Sequence, residues 1–249
     1  MKIEEKFCET KFGQICYLEA GQGTKVFYFF HGFWGDPRGI RGLSSFLVPK
    51  GYKIIAPYLP GHGKSHSLPL KFNYQDFLEE MEDFVNLTAR GSKMVFFGNS
   101  FGGGLALNLA QKMREENLDG LVVSVPLLTP VKYQEYPRAF WEIAKDRVVD
   151  GLAANPIRKV RRDNYFAEIP GMKKKWLRDL ISGIRLINSF SIDVEYKFRT
   201  KSLMIRGDRD WVSRNYQSFN FDKQVSLPGG HFYFLRQYDK LFSKIDEQV

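Results

Sequence analysis

A serine lies in a glycine-flanked pentapeptide whose spacing suits nucleophilic catalysis. The segment Gly98-Asn99-Ser100-Phe101-Gly102 matches G-x-S-x-G, directly after a predicted strand and before a predicted helix that runs to about residue 116. A serine on such a tight turn projects its hydroxyl above the sheet, and small flanking residues let neighbouring backbone come close. The start of the helix directs its positive end toward developing negative charge. The pattern favours a nucleophile, and the alternative is a glycine-rich turn without chemistry.

A serine nucleophile needs a base, and the base needs a carboxylate that orients it. His231 is the best candidate for the base, because it lies in a glycine-rich turn after a short segment that could be the last strand. Asp208 and Asp210 are the candidates for the carboxylate, since both follow the end of a predicted strand. The order serine, aspartate, histidine along the chain is the order expected for an enzyme with this serine motif.

Alternating strands and helices must position these side chains. Continuous apolar segments alternate with helical patterns, which indicates a parallel sheet covered on both faces. We therefore predict the α/β class, with a mostly parallel central sheet and helices on both of its faces. The predicted strands are a hairpin within residues 3–18, followed by residues 25–30, 52–56, 93–98, 121–125 and 202–206. A helix is predicted from Asn73, because apolar residues then recur at spacings of three and four.

The pattern changes between the last two of these strands. Residues 131–201 contain helical stretches and no convincing strand, so we predict a helical insertion there and a core formed by residues 1–130 and 202–249. The net charge of the chain is +9. Residues 132–201 hold 16 lysines and arginines against 9 acidic residues and so account for +7 of that charge. The predicted insertion is therefore basic, whereas the predicted core is close to neutral.

Composition excludes several classes of protein. The chain has 249 residues, 43% hydrophobic and 26% charged, which is typical of a globular protein and not of a disordered one. The densest apolar run, residues 26–30, is too short to cross a membrane, and the first residues lack the apolar core of a signal peptide. We expect a reduced, cytoplasmic protein. A turn centred on Phe12 would place Cys8 opposite Cys16, but two free thiols are favoured.

The chain resembles the α/β-hydrolase fold superfamily, and in particular its capped, esterase-like or lipase-like serine hydrolases. The resemblance covers nearly the whole chain and rests on five motifs in the family's order: His31-Gly32-Phe33-Trp34-Gly35, Pro60-Gly61-His62-Gly63-Lys64-Ser65, the serine motif, Gly207-Asp208-Arg209-Asp210 and Gly230-His231-Phe232. It implies a catalytic triad of Ser100, Asp210 and His231. It also implies an oxyanion hole from the backbone N–H groups of Phe33 and Phe101, and a cap formed by the insertion.

The resemblance also narrows the reaction. It implies hydrolysis of a carboxylic ester or thioester through an acyl-enzyme, with C–C bond hydrolysis or lyase chemistry and aminopeptidase activity as alternatives. A serine stands where haloalkane dehalogenases and α/β epoxide hydrolases carry an aspartate, which argues against both. Gly104 stands where the menaquinone-pathway lyase type tends to carry an arginine, which weakens that reading. A binding protein without catalysis is a further alternative. His31 and His62 are expected to be structural, and His66 looks like an exposed loop residue without a role.

The expected ligand is a small acyl substrate. Trp34, Trp141 and Trp176 could line an apolar pocket, although aromatic residues at helical spacing also suit a core. The basic clusters at residues 158–162 and 173–175 suit a solvated helix face, an anionic substrate or, less favoured, contact with a membrane surface. No nucleic-acid recognition module is present. Nothing in the sequence has metal-ligand spacing or a dinucleotide fingerprint, so we expect no metal and no cofactor.

Overall fold

The computed structural model describes residues 2–33, 35–113, 115–152, 176–193, 195–213, 217 and 219–247. An eight-stranded sheet with the strand order β1-β2-β4-β3-β5-β6-β7-β8 forms its centre. β1 and β2 are antiparallel, β2 is antiparallel to β4, and all other neighbours are parallel. The strands are Ile3–Glu9 (β1), Gln14–Ala20 (β2), Lys25–Phe30 (β3), Tyr52–Pro57 (β4), Met94–Asn99 (β5), Leu118–Ser124 (β6), Ser202–Gly207 (β7) and Lys223–Leu227 (β8). The predicted fold class is confirmed.

Helices cover both faces of this sheet, and the core is accordingly divided in two. Side chains alternate along β3, so that Tyr28 and Phe30 join one buried cluster while Phe27 and Phe29 join the other. A strand buried on both faces reads as a continuous apolar run, which is why β3 was predicted with its observed bounds. The helices are Ile40–Leu47 (α1), Tyr74–Ala89 (α2), Phe101–Lys112 (α3), Tyr136–Leu152 (α4), Trp176–Asn188 (α5) and Phe234–Asp246 (α6).

The start of α2 shows how local sequence sets a helix boundary. The side chain of Asn73 accepts a hydrogen bond from the backbone N–H of Asp76 at 3.0 Å, and the Asp76 carboxylate accepts one from the backbone N–H of Asn73 at 3.1 Å. This capping box satisfies two backbone donors that the helix itself leaves without partners. The predicted start of the helix at Asn73 therefore agrees with the structure to within one residue.

The register of the first hairpin differs from the expected one. Cys8 lies opposite Ile15, and Cys16 lies opposite Phe7, because the turn is centred between residues 11 and 12. A shift of one residue moves a side chain to the other face of the sheet, so the two thiols point to opposite faces. Both cysteines are free. The suggested face-to-face placement of Cys8 and Cys16 is wrong, and the favoured free thiols agree with the structure.

Two helices of the described chain, α4 and α5, lie between β6 and β7, where the insertion was predicted. Both basic clusters, at residues 158–162 and 173–175, lie outside the described residues. The division into a core and a cap remains a prediction. Within the described ranges, no helix is both long enough and apolar enough to cross a membrane.

Candidate active site

The turn between β5 and α3 holds Ser100 in a backbone conformation that few side chains adopt. Its φ is 55° and its ψ is −120°, outside the ordinary regions for a residue with a Cβ atom. The surrounding backbone fixes this turn, because the N–H of Ser100 donates to the carbonyl oxygen of Ser124 at 2.9 Å and the Ser100 carbonyl accepts from the N–H of Leu127 at 2.9 Å. Such strain persists only where neighbouring structure enforces it, and it occurs often at functional sites.

The two glycines of the motif are required by close backbone approach. A Cβ atom at Gly98 would lie 2.1 Å from the carbonyl oxygen of Gly102, and one at Gly102 would lie 2.2 Å from that of Phe30. Both distances are far shorter than any van der Waals contact, and the neighbours are backbone atoms that cannot turn away. The G-x-S-x-G spacing is therefore the spacing that this turn needs.

Three side chains meet at this turn and form a continuous line of hydrogen bonds. His231 Nε2 lies 2.9 Å from Ser100 Oγ, and His231 Nδ1 lies 2.9 Å from Asp210 Oδ1. The turn after β8 carries the histidine and the turn after β7 carries the aspartate, so the ends of three parallel strands supply the group. Parallel strands bring their carboxyl ends to one edge of the sheet. The structure thus brings together the three residues proposed as the triad.

Asp210 is held as a carboxylate despite its burial. It accepts hydrogen bonds from the backbone N–H groups of Val212 and Ser213, each at 3.1 Å, and from the hydroxyl of Ser213. Burial raises the pKa of Asp210, but the charge of His231 and the hydrogen bonds from His231, Ser213 and Val212 outweigh it. The pKa therefore lies below its ordinary value of 3.8. An ionised Asp210 accepts the Nδ1–H hydrogen of His231, which leaves Nε2 to accept a proton from Ser100.

Asp208, the other aspartate in this turn, has a different place. Its Oδ1 accepts a hydrogen bond from the backbone N–H of Gly229 at 3.0 Å, and the residue is exposed. Gly229 lies two residues before His231, so Asp208 braces the turn that carries the histidine.

The loop after β3 lies against the nucleophile. A Cβ atom at Gly32 would lie 3.2 Å from the Cβ of Ser100, and the loop turns tightly because the N–H of Gly35 donates to the carbonyl of Gly32 at 2.8 Å. Phe33 follows Gly32 in this loop, and Phe101 is the first residue of α3, whose first N–H groups have no acceptor within the helix. The loop that carries Phe33 and the start of α3 that carries Phe101 therefore both adjoin Ser100.

Two buried histidines support that loop. The N–H of Leu59 donates to His31 Nε2 at 3.1 Å, so the ring hydrogen is on Nδ1, which lies 2.8 Å from the carbonyl oxygen of Gly32. Burial lowers the pKa of His31 to about 3, and the neighbouring charge of His62 adds to this effect. The ring of His62 packs edge-on against those of His31 and Phe33, at 4.9 and 6.0 Å between centroids. A neutral His31 thus joins the loop to the segment after β4.

The expectation that His66 is an exposed loop residue is wrong. Its side chain is only 17% exposed, and its Nε2 lies 2.7 Å from Oε1 of Glu80, a carboxylate with no exposed surface. The hydroxyl of Thr10 lies 2.8 Å from the same oxygen. The apolar spacing of α2 gave no sign that one charged residue, Glu80, faces inward.

Of the three tryptophans predicted to line a pocket, the structure describes the side chain of only one. Trp141 lies on α4 and is 69% exposed, Trp34 lies outside the described residues, and Trp176 begins α5 but its side chain lies outside the described part. Sequence reasoning missed Gly183 of α5, where a Cβ atom would lie 2.3 Å from Cζ of Phe33. A glycine in the middle of a predicted helix is the pattern that indicates such a close approach. Helix α5 therefore packs directly on the loop that flanks Ser100.

A second contact joins the inserted helices to the site. The guanidinium carbon of Arg138, on α4, lies 5.9 Å from the ring centroid of Trp211, which follows Asp210. Across the described ranges, no group of three or more histidine, cysteine or acidic residues is arranged to hold a metal ion.

A family model described as the alpha/beta hydrolase family matches residues 27–244, which is most of the chain. The solved structure of a serine hydrolase involved in carbazole degradation superimposes with a TM-score of 0.74. It shares 17% identity and covers 99% of this chain and 98% of its own. At this level of identity the likeness concerns the fold.

Two curated relatives match shorter regions of the chain. A putative esterase/lipase of Mycoplasma pneumoniae is 33% identical over 117 residues, which are 45% of this chain and 41% of that protein. A thermostable monoacylglycerol lipase of a Bacillus species is 30% identical over 82 residues, which are 32% of this chain and 33% of that protein. The chain thus spans less than half the length of each of these relatives.

Proposed function

The chain belongs to the alpha/beta hydrolase family, and from that premise we propose that it hydrolyses carboxylic esters or thioesters through an acyl-enzyme on Ser100. The line of hydrogen bonds from Ser100 through His231 to the buried Asp210, with 2.9 Å at each step, carries this proposal. A hydroxyl becomes a useful nucleophile at neutral pH only when a positioned base can take its proton. The conformation of the serine turn, which points the hydroxyl toward the base, supports the same function.

Ser100, His231 and Asp210 each have a defined role in the proposed mechanism. Oγ of Ser100 attacks the carbonyl carbon while Nε2 of His231 takes the hydroxyl proton, and Asp210 stabilises the imidazolium that forms. The tetrahedral intermediate collapses when His231 returns that proton to the leaving alcohol or thiol. A water molecule then attacks the acyl-enzyme, with His231 again as the base, and releases the acid and the free serine. Each cycle consumes one ester and one water and restores every proton.

The backbone N–H groups of Phe33 and Phe101 are the proposed donors to the oxyanion. They lie on the two segments that flank Ser100, and backbone donors need no rearrangement as the charge develops. Removing one such donor from a hydrolase costs about 3–4 kcal/mol in transition-state stabilisation. The packing of Phe33 against Gly183 and His62 would hold its segment in place during the reaction.

The choice of ester over other bonds rests on the relatives. The two curated relatives are named as an esterase/lipase and a monoacylglycerol lipase. A serine at the turn suits acyl transfer, because it forms a covalent ester that water can cleave. C–C bond hydrolysis and aminopeptidase activity use comparable machinery and are therefore outcomes to be tested with the same variants.

Covalent labelling tests the proposal most directly. A fluorophosphonate probe should modify the parent protein at Ser100, as read by intact mass and peptide mapping, and p-nitrophenyl butyrate should be hydrolysed. Ser100→Ala should lose both reactions. Ser45→Ala is the matched control, because Ser45 is exposed on α1 and its hydroxyl bonds only the carbonyl of Gly42, at 2.9 Å. Absence of labelling in the parent would favour a binding protein, and labelling of Ser100→Ala would show that another residue is the nucleophile.

A further inference from the structure

An open groove of about 360 Å³ lies where the segment before α2 meets the turn before α4 and the end of α5. The segment before α2, the short turn before α4 and the end of α5 each supply part of its wall. Its lining residues are Leu70, Lys71, Phe72, Asn73, Tyr133, Arg185, Asn188 and Ser189. None of them belongs to the proposed triad or oxyanion loop. The lining of the groove therefore shares no residue with the proposed triad and oxyanion donors.

Positive charge and apolar surface are combined in this groove. Lys71 and Arg185 are both exposed, and within the described ranges neither forms an ion pair with an acidic side chain. Arg185 is oriented, since its Nη1 donates to the carbonyl oxygen of Leu70 at 2.6 Å. None of the lining residues is acidic. The site thus offers two cations whose charge no lining carboxylate offsets.

The apolar part of the groove is exposed to an unusual degree. Leu70 is 51% exposed and Tyr133 is 65% exposed, whereas Phe72 is buried. Large apolar side chains beside a concave surface are typical of ligand sites, because a ligand would remove them from water. The rings of Tyr133 and Tyr136 are 6.1 Å apart, so the aromatic surface continues onto α4.

Polar contacts fix the walls of the groove. Oγ of Ser189 accepts a hydrogen bond from the backbone N–H of Tyr74 at 3.0 Å, which ties the end of α5 to the start of α2. Nδ2 of Asn188 donates to the hydroxyl of Tyr136 at 3.2 Å. The acidic group in the first turn of α2, Asp76, is engaged by the backbone N–H of Asn73. The walls are thus held in position, while the two cations remain available to a ligand.

We propose that this groove binds a carboxylate that bears an apolar chain. The carboxylate would lie between Lys71 and Arg185, where a guanidinium can donate two parallel hydrogen bonds, and the chain would cover Leu70 and Tyr133. An uncharged amphiphile would leave both cations without a partner, and a small inorganic anion would leave the apolar wall in water. Charge complementarity and the exposed apolar wall together define this ligand class.

Calorimetric titration with decanoate tests the proposal. One decanoate per chain should bind to the parent protein, and the double variant Lys71→Gln/Arg185→Gln should bind about tenfold more weakly, since two partly exposed charge contacts are lost. Arg41→Gln/Lys240→Gln is the matched control. It removes the same charge from α1 and α6, which pack on the opposite face of the sheet, and should bind decanoate within about twofold of the parent.

The remaining outcomes separate the alternatives. Decanol should bind more weakly than decanoate, and inorganic phosphate should not compete at equal concentration. Unchanged affinity in the double variant would overturn the proposal and would place any decanoate at the serine site instead. Absence of decanoate binding to the parent would overturn it as well. Lys71→Gln alone changes one exposed side chain, so it provides the same test if the double variant does not fold. Labelling of Ser100 is unaffected by these outcomes and tests the proposed function separately.

Discussion

Two acid–histidine pairs among the described residues contain a buried carboxylate, and they differ in the order of their hydrogen bonds. In the active-site cluster, formed by Ser100, His231 and Asp210, the imidazole lies between the hydroxyl and the carboxylate. In the hairpin cluster, formed by Thr10, His66 and Glu80, the carboxylate lies between the hydroxyl and the imidazole. Oε1 of Glu80 is hydrogen-bonded to both groups.

This difference in order decides what each cluster can do. A base that lies between a hydroxyl and a carboxylate can take the hydroxyl proton while the carboxylate stabilises the resulting charge. A carboxylate that lies between a hydroxyl and a histidine accepts hydrogen bonds from both, so the imidazole is not the partner of the hydroxyl and cannot take its proton directly. In addition, Nδ1 of His66 is occupied by the carbonyl oxygen of Ser67 at 3.1 Å. The hairpin cluster therefore stabilises the fold, although its residue types resemble those of the active-site cluster.

The structural task of the hairpin cluster follows from the elements that it joins. Thr10 lies in the turn between β1 and β2, His66 in the segment after β4, and Glu80 in α2. Gly13 allows close contact there, because a Cβ atom at this position would lie 2.8 Å from Cδ2 of His66. One oxygen of Glu80, Oε2, is buried without a hydrogen-bond partner among the described residues. Glu80 thus depends strongly on the partners of its other oxygen.

The largest expected contrast is in turnover. His231→Gln should lower kcat/KM for p-nitrophenyl butyrate by about 10⁴-fold or more, because the base for Ser100 is lost. His66→Gln should keep kcat/KM within about threefold of the parent, since it lies outside the reaction path. Steady-state kinetics on both variants check the contrast. Equal losses in the two would show that the hairpin cluster contributes to catalysis.

A second contrast concerns stability. His66→Ala should lower the free energy of unfolding by about 2–3 kcal/mol, because it leaves the buried Glu80 carboxylate without its main partner. Urea denaturation followed by circular dichroism measures this change. The double variant His66→Ala/Glu80→Gln should recover part of the loss, since the uncompensated charge is gone. No recovery would indicate that packing, and not charge, explains the effect of His66→Ala.

The contact between His66 and Glu80 in the hairpin cluster should also make the free energy of unfolding depend on pH. The hydrogen bond that the His66 imidazole donates to Glu80 raises the pKa of His66 above its ordinary value of 6.5, although burial acts in the opposite direction. A raised pKa in the folded state means that the stabilisation is complete below pH 6.5 and is lost as the pH rises through the folded-state value. The difference in unfolding free energy between the parent and His66→Gln should therefore be larger at pH 5.5 than at pH 8.5. An equal difference at both pH values would argue against a stabilising ion pair between His66 and Glu80.

The contribution of Asp210 to the free energy of unfolding should change at acidic pH. Its pKa in the folded state lies below 3.8, so its contribution to stability is present above that value and is lost as the pH falls through the folded-state pKa. Urea denaturation of the parent and Asp210→Asn between pH 5 and pH 3 measures this contribution, and the difference between them should shrink on acidification. A constant difference would show that the Asp210 carboxylate is not held ionised by its neighbours.

The smallest expected effect belongs to Thr10. Thr10→Ala should lower the free energy of unfolding by about 1 kcal/mol, because one hydroxyl partner of Glu80 is lost. Thr10→Ser keeps the hydroxyl and should remain close to the parent in the same urea experiment. A similar loss in both variants would assign the effect to the methyl group of threonine.

The parts of the fold with strong local patterns were predictable. The strand β3 is a continuous apolar run, α2 has a capping residue and an apolar stripe, and the serine turn has its glycines at the required spacing. Helix α1 was not predicted, because Gly42, Ser44 and Ser45 are poor helix formers. It is stabilised by tertiary packing instead, since Ile40, Leu43 and Leu47 join the same buried cluster as Phe27 and Phe29 of β3.

The amino-acid sequence by itself determined which residue types are available and in which order along the chain they occur. It therefore indicated Ser100 and His231 with Asp208 or Asp210 as the carboxylate, and the resemblance to the α/β-hydrolase superfamily singled out Asp210. Only the tertiary structure decided which side chains meet, because a hydrogen bond depends on placement to a few tenths of an ångström between residues as distant in sequence as Ser100 and His231. The same requirement placed His66 beside Glu80 and set the two cysteines on opposite faces of the sheet. Local pattern cannot fix such placements, since they arise from how whole elements pack.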